Sequence, residues 1–174
     1  MISPQTTWTD FKAAFCSALD EAEKTKFLEA WHSIPKKTFF YEWTFMPVVA
    51  AKLGQVMKTE MLKFDYTFLN ADGVPIIIAE AENKHGTAGH EIKCLCCGAA
   101  PLKVLVLSCE WQASEKRKFL PRWCEIIRTH HAVISMDCLY AIIVGEWGES
   151  LEYSFTVINT AGNVIEESRH TVKP

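Results

Sequence analysis

The stretch from Val74 to Lys84 constrains this chain more than any other. It opens on Val-Pro-Ile-Ile-Ile and closes on Ala-Glu-Ala-Glu-Asn-Lys. Side chains alternate along a strand, so Ile76, Ile78, Glu80, Glu82 and Lys84 fall on one face and Ile77, Ala79, Ala81 and Asn83 on the other. An apolar face that turns charged at its C-terminal end is not an ordinary core strand. Three ionisable groups in that position need water, a partner or a metal ion.

The elements around this run follow from periodicity. Residues 63–69 alternate, with Phe64, Tyr66 and Phe68 against Asp65 and Thr67, and Asn70-Ala71-Asp72-Gly73 is a turn in which Gly73 can take positive φ. The two strands form a hairpin, and residues 55–62 supply a strand before it. A helix from Gly86-Thr87-Ala88 to about Gly98 leads to the apolar strand 102–107. A helix over 114–130, a strand over 139–144 and a hairpin of 151–158 with 164–171 complete the chain.

Ahead of the strands, Trp8, Phe11, Phe15, Leu19, Phe27, Leu28 and Trp31 follow helical spacing, so a single helix is expected over 8–33, with Thr7 or Thr9 as its cap and Pro35 as its stop. An aromatic helix over 37–53 ends at Gly54 and is kinked or restarted by Pro47. Its one acid is Glu42. The order α-α-β-β-β-α-β-α-β-β-β predicts an α/β fold of the mixed-sheet kind, a central mixed sheet flanked by helices. At 174 residues the chain suits one domain over 1–174, with a helix at 1–33, a core at 36–109 and additions at 110–174.

Composition narrows the setting. Nearly half of the residues are hydrophobic, which supplies one packed core and excludes disorder. No apolar run is long enough to span a membrane, and no basic leader with an apolar run opens the sequence. Seven Cys at irregular spacing read as reduced thiols, which points to the cytoplasm. The net charge is -3, but residues 34–131 carry 13 basic and 10 acidic side chains. The candidate site therefore lies in the basic part of the chain, which permits a polyanionic substrate.

The hairpin turn brings Asp65 back towards the acids at the end of 74–84. Asp65 and Glu82 then make a carboxylate pair whose repulsion a divalent cation relieves. A tight turn would set Asp65 nearer Glu80. Oxygen ligands suit Mg²⁺ or Mn²⁺ better than zinc, and Lys84 can reach a phosphate or the attacking water. As ordinary residues, the same groups would be a solvated ion pair at a strand end.

Asp65, the element Glu82-Asn83-Lys84, Glu42 on the preceding helix and the αβ unit of residues 86–107 together resemble the PD-(D/E)XK nuclease superfamily, over about 36–109. The resemblance implies a restriction-endonuclease-like α-β-β-β-α-β core and a Mg²⁺-dependent phosphodiesterase acting on nucleic acid, DNA before RNA. It implies a metal held by Asp65, Glu82 and the Asn83 carbonyl, with Glu80 as a further ligand, Lys84 orienting water and Glu42 assisting. A dimer would let two sites cut a duplex. The alternative is a module of the same fold that binds nucleic acid or protein without catalysis. Lys93 on the helix after the motif, and Lys116, Arg117, Lys118 and Arg122 on the next, could follow a phosphate backbone or simply be solvated.

Further clusters read more plainly. His85, His90, Cys94, Cys96 and Cys97 suggest zinc, but the spacing is that of a helix rather than a zinc loop, so thiols packed on the sheet are expected. Trp43 and Trp147 are expected in the core.

Overall fold

The computed structural model describes residues 3–172, apart from the side chain of Lys24. The first helix, α1 (Pro4–Glu21), starts from Ser3 with Pro4 in its first turn, where a missing N–H costs nothing. Thr7 and Thr9 lie inside it and bond back to the carbonyls of Ser3 and Gln5, so neither is the cap. The expected single helix over 8–33 is broken. Ala22 and Glu23 are extended, and α2 (Lys24–Trp31) sets off afresh. No Pro or Gly marks the break. It turns Phe27 onto Phe40, ring centroids 4.8 Å apart, and that packing overrides helix propensity.

Ser33 accepts a bond from the Lys36 amide and caps α3 (Ile34–Phe39). The helix then widens into a π-helical segment, Phe40–Phe45, before α4 (Met46–Leu53). Pro47 explains the change. It offers no amide to the preceding turn, and the Met46 amide bonds Tyr41 O, five residues back. The expected kink is thus absorbed as one wide turn. Gly54, at φ 64°, ends α4 in the left-handed conformation.

Seven strands follow in one sheet whose spatial order is their chain order. They are β1 (Val56–Met61), β2 (Phe64–Leu69), β3 (Pro75–Glu82), β4 (Leu102–Ser108), β5 (Leu139–Trp147), β6 (Leu151–Asn159) and β7 (Val164–Thr171). β1, β2 and β3 form an antiparallel meander, β3, β4 and β5 run parallel, and β6 and β7 return antiparallel. The two parallel steps cross through α5 (Ala88–Cys97) and α6 (Ala113–His131). The architecture is therefore mixed α/β with a flanked mixed sheet, as the element order implies.

Two cores sandwich the sheet. On one face Trp8, Phe11, Phe15, Phe27, Phe45 and Val49 of the N-terminal helices meet Tyr66, Phe68, Ile77, Val104 and Tyr153. On the other, Ile92 and Leu95 of α5 and Phe119, Trp123 and Ile127 of α6 meet Ile78, Leu105, Leu107 and Ile142. Trp43 is 63% exposed and Trp147 36% exposed, so neither is core. Phe40, Tyr41 and Phe45 fill the inward positions around Trp43, and Trp147 lies at the end of β5 with its ring centroid 6.0 Å from that of Trp31. All seven cysteines are free. Cys96 and Cys138 are buried and Cys97 is exposed, so of the α5 thiols only Cys96 packs into the core in full.

The β6–β7 turn docks on α6. Gly162 has φ 75°, and a Cβ there would sit 2.6 Å from the Cys124 carbonyl oxygen and 2.9 Å from Arg128 Cβ. Gly162→Ala is expected to lower stability by about 1–3 kcal/mol, measured by urea unfolding. An unchanged midpoint would mean that the turn can leave the helix without cost.

Candidate functional site

The carboxylates gather where β2 and β3 part. The ladder between them pairs Tyr66 with Ala79, so the next residues outward, Asp65 and Glu80, face each other. There side chains take over from the main chain. Ala81 N–H donates to Asp65 Oδ2 at 2.8 Å, and Asp65 N–H donates to Glu80 Oε2 at 3.4 Å. Each acid thus reaches the other strand's backbone, and the two carboxyl groups are held side by side. Glu80 is 5% exposed, and Asp65 is half-buried.

Two such groups cannot both carry charge cheaply in a desolvated place. Burial, and then the Asp65 charge, push the Glu80 carboxyl up to about 8. Glu91, in the first turn of α5, is also raised, by burial and by the nearby Glu82 and Asp65 charges. Tyr66 is raised by burial and by the charges of Asp65, Glu42 and Glu80. Asp65, Glu80, Glu82 and Glu91 thus lie in one acidic patch, and the Glu42 charge reaches the same tyrosine.

The other expected residues are arranged differently. Glu82 is the last residue of β3, and its Oε1 accepts from the amides of Asn83 at 2.6 Å and Lys84 at 3.1 Å. That carboxylate closes the turn out of the strand. Lys84 lies beyond the strand and is exposed. Its carbonyl accepts from Thr87 and Ala88 at the start of α5. Strand alternation therefore does not carry Lys84 onto the Glu80 and Glu82 face. Lys93 is exposed on α5. Along α6, Lys116 pairs with Glu167, Lys118 lies 5.0 Å over the Phe119 ring, and Arg117 and Arg122 are exposed.

Glu91 is the member of the patch that the sequence reading passed over. Its signal was available, since Glu91 opens the helix that follows the acidic strand and adjoins Ile92, which packs on the sheet. Glu80 was legible from the count across the hairpin turn. Beside the patch, at the C-terminal end of β4, Lys37 Nζ donates to Ser108 O at 3.0 Å and Tyr41 joins Ser108 Oγ and Tyr153. These bonds tie α3 and the π-helical segment to the sheet. Burial pushes the neighbouring Cys109 thiol up to about 11, which disfavours the thiolate a nucleophile needs.

Among the described residues no three His, Cys, Asp or Glu side chains converge into a ready-made metal cage. A hydrated hard cation asks for less, since Mg²⁺ is commonly held by one or two carboxylates and keeps its waters. The oxygen donors of Asp65 and Glu80 fit that requirement. No described helix is long and apolar enough to cross a membrane.

No family model matches the chain, and no curated protein matches it. Among solved structures it is similar to a carbon-nitrogen hydrolase from Helicobacter pylori G27, with a TM-score of 0.40 and 11% identity over 90% of this chain and 71% of that one. The expected membership of the PD-(D/E)XK nucleases, and with it a nuclease or phosphodiesterase activity on nucleic acid, is corrected here. No family model of such nucleases matches the chain, and the element that carried the resemblance departs from it, because Glu80 rather than Glu82 stands opposite Asp65 and Lys84 lies past the strand. The likeness to the hydrolase is too distant to lend its chemistry to this chain.

Proposed function

We propose that this protein is a divalent-cation-dependent hydrolase centred on Asp65 and Glu80, with Glu82 and Glu91 around them. The observation that supports the reading is the exchange of main-chain bonds at the mouth of the hairpin, Ala81 N–H to Asp65 and Asp65 N–H to Glu80. It holds two carboxyl groups together in a place where only a proton or a cation relieves them. Mg²⁺ or Mn²⁺ fits the donor set, which is all oxygen. When bound, such an ion lowers the pKa of a coordinated water and polarises a substrate oxygen.

The chain's own residues have separate tasks in this reading. The Ala81 amide fixes the Asp65 carboxylate. Glu82 holds the turn that sets Lys84 at the rim, where an exposed ammonium offsets negative charge on a substrate. Glu91 adds a further carboxyl, from α5, suited to accept a proton from water. Glu42 acts at the edge through Tyr66.

Turnover of activated ester, amide and phosphate substrates in Mg²⁺, in Mn²⁺ and in EDTA tests this. The expected result is hydrolysis that requires the ion and falls at least about a hundredfold in Asp65→Asn, a loss of about 2.7 kcal/mol in transition-state stabilisation. Hydrolysis of equal rate in EDTA and in Asp65→Asn would remove the acid pair from the reaction.

A further inference from the structure

On either side of Glu91, α5 carries a histidine and a cysteine, side chains of the kind that ligate soft metal ions. His90 Nε2 and Cys94 Sγ, one helical turn apart, lie 3.6 Å from each other. His90 is exposed and Cys94 half-buried. With Zn–S near 2.3 Å and Zn–N near 2.0–2.1 Å, a tetrahedral zinc ion separates its nitrogen and sulfur ligands by about 3.6 Å. The pair therefore stands at the bite of a soft divalent cation without any rotation of the helix.

One copy cannot finish such a site. Cys97 is exposed on the same stripe, but seven residues of helix put it about 10 Å along the axis from His90, too far to share an ion with it. Among the described residues no third ligand joins the pair. Closed zinc sites take four ligands. Two His90–Cys94 pairs related by a two-fold axis supply four, two nitrogens and two sulfurs, through the self-complementary contact that a symmetric dimer requires.

We infer that His90 and Cys94 form half of a zinc-class site that a second copy of the chain completes, so that one ion joins two chains through α5. On binding, each Cys94 thiol gives its proton to solvent and becomes the ligand thiolate. The site uses nitrogen and sulfur rather than the oxygen donors of Asp65 and Glu80, and its readout is the mass of the chain rather than hydrolysis, so either proposal can fail without the other.

The test is sedimentation of the full chain in EDTA and with added Zn²⁺, together with Co²⁺ absorption. The expected result is a zinc-dependent doubling of mass at one ion per two chains, and a thiolate-to-cobalt band. Both should be lost, with affinity at least about tenfold weaker, in Cys94→Ser and in His90→Ala, and both kept in Cys97→Ser. Unchanged mass with zinc, a complex of one ion per chain, or doubling that survives Cys94→Ser would each overturn the inference.

Discussion

Replacing Glu80 with Gln is expected to stabilise the metal-free protein at alkaline pH and to weaken its affinity for Mg²⁺. Glu80 is buried beside Asp65 and keeps its proton to about pH 8 in the folded chain, against an ordinary value of 4.5. Between those values the unfolded chain has released a proton that the folded chain retains. Stability therefore falls as pH rises from about 4.5 to about 8 and levels off above. Gln copies the protonated acid, with an oxygen for the Asp65 amide and an NH₂ for its carboxylate, and has no proton to lose. Urea unfolding in EDTA across pH 4 to 9, a range set by those two values, should show a decline of up to about 5 kcal/mol in the wild type and little in Glu80→Gln. The same variant removes one negative ligand, so Mg²⁺ affinity should fall at least about tenfold. A parallel decline in both proteins would mean that Glu80 is not the group that titrates.

The second large effect concerns the aromatic core behind the site. Phe15 is fully buried. Its ring meets Phe45 at 4.8 Å, Tyr153 at 5.6 Å and Phe155 at 6.0 Å, each edge-on, and Phe11 at 5.8 Å. One side chain on α1 thus joins the π-helical segment to β6. Phe15→Ala removes a large apolar surface and leaves a cavity that rigid rings on three elements cannot refill, at a cost of about 3–5 kcal/mol. Phe15→Leu keeps most of the volume and should cost less than half as much. Equal losses would point to the turn of α1 rather than the aromatic cluster. Because Tyr41 holds the same segment to Ser108, Phe15→Ala should also loosen Glu42 and Tyr66 at the edge of the acidic patch.

The strands were legible because their patterns are local. Alternation at 63–69, the Asn70 to Gly73 turn and the run Leu102 to Leu107 each state their conformation within a few residues, and all appear as strands or turns at nearly those limits. The break between α1 and α2 was not legible. Residues 20–26 are ordinary helix formers, and the chain turns there only to bring Phe27 to Phe40. The wide turn at Phe40–Phe45 was half legible. Pro47 announces a missing amide, but whether the helix kinks or slips its register depends on what the ring of Phe45 packs against.

The site divides in the same way. Asp65 and the acids of β3 stand out because charge at the end of an apolar strand is unusual, and the hairpin count aligns Asp65 with Glu80. The end of that strand at Glu82 was hidden, since it depends on a carboxylate that folds back on its own following amides. Lys84 consequently belongs to the loop. Glu91 comes from another element, and its place beside Asp65 follows only from how α5 crosses to β4.

The central claim is that Asp65 and Glu80 form a seat for a hard divalent cation. Crystals soaked in Mn²⁺ give the most direct answer, because the ion's anomalous signal locates it without regard to activity. The account predicts a single strong peak between the Asp65 and Glu80 carboxylates, absent from crystals of Asp65→Asn. A soak that leaves that position empty, or that fills it equally in the variant, would contradict it.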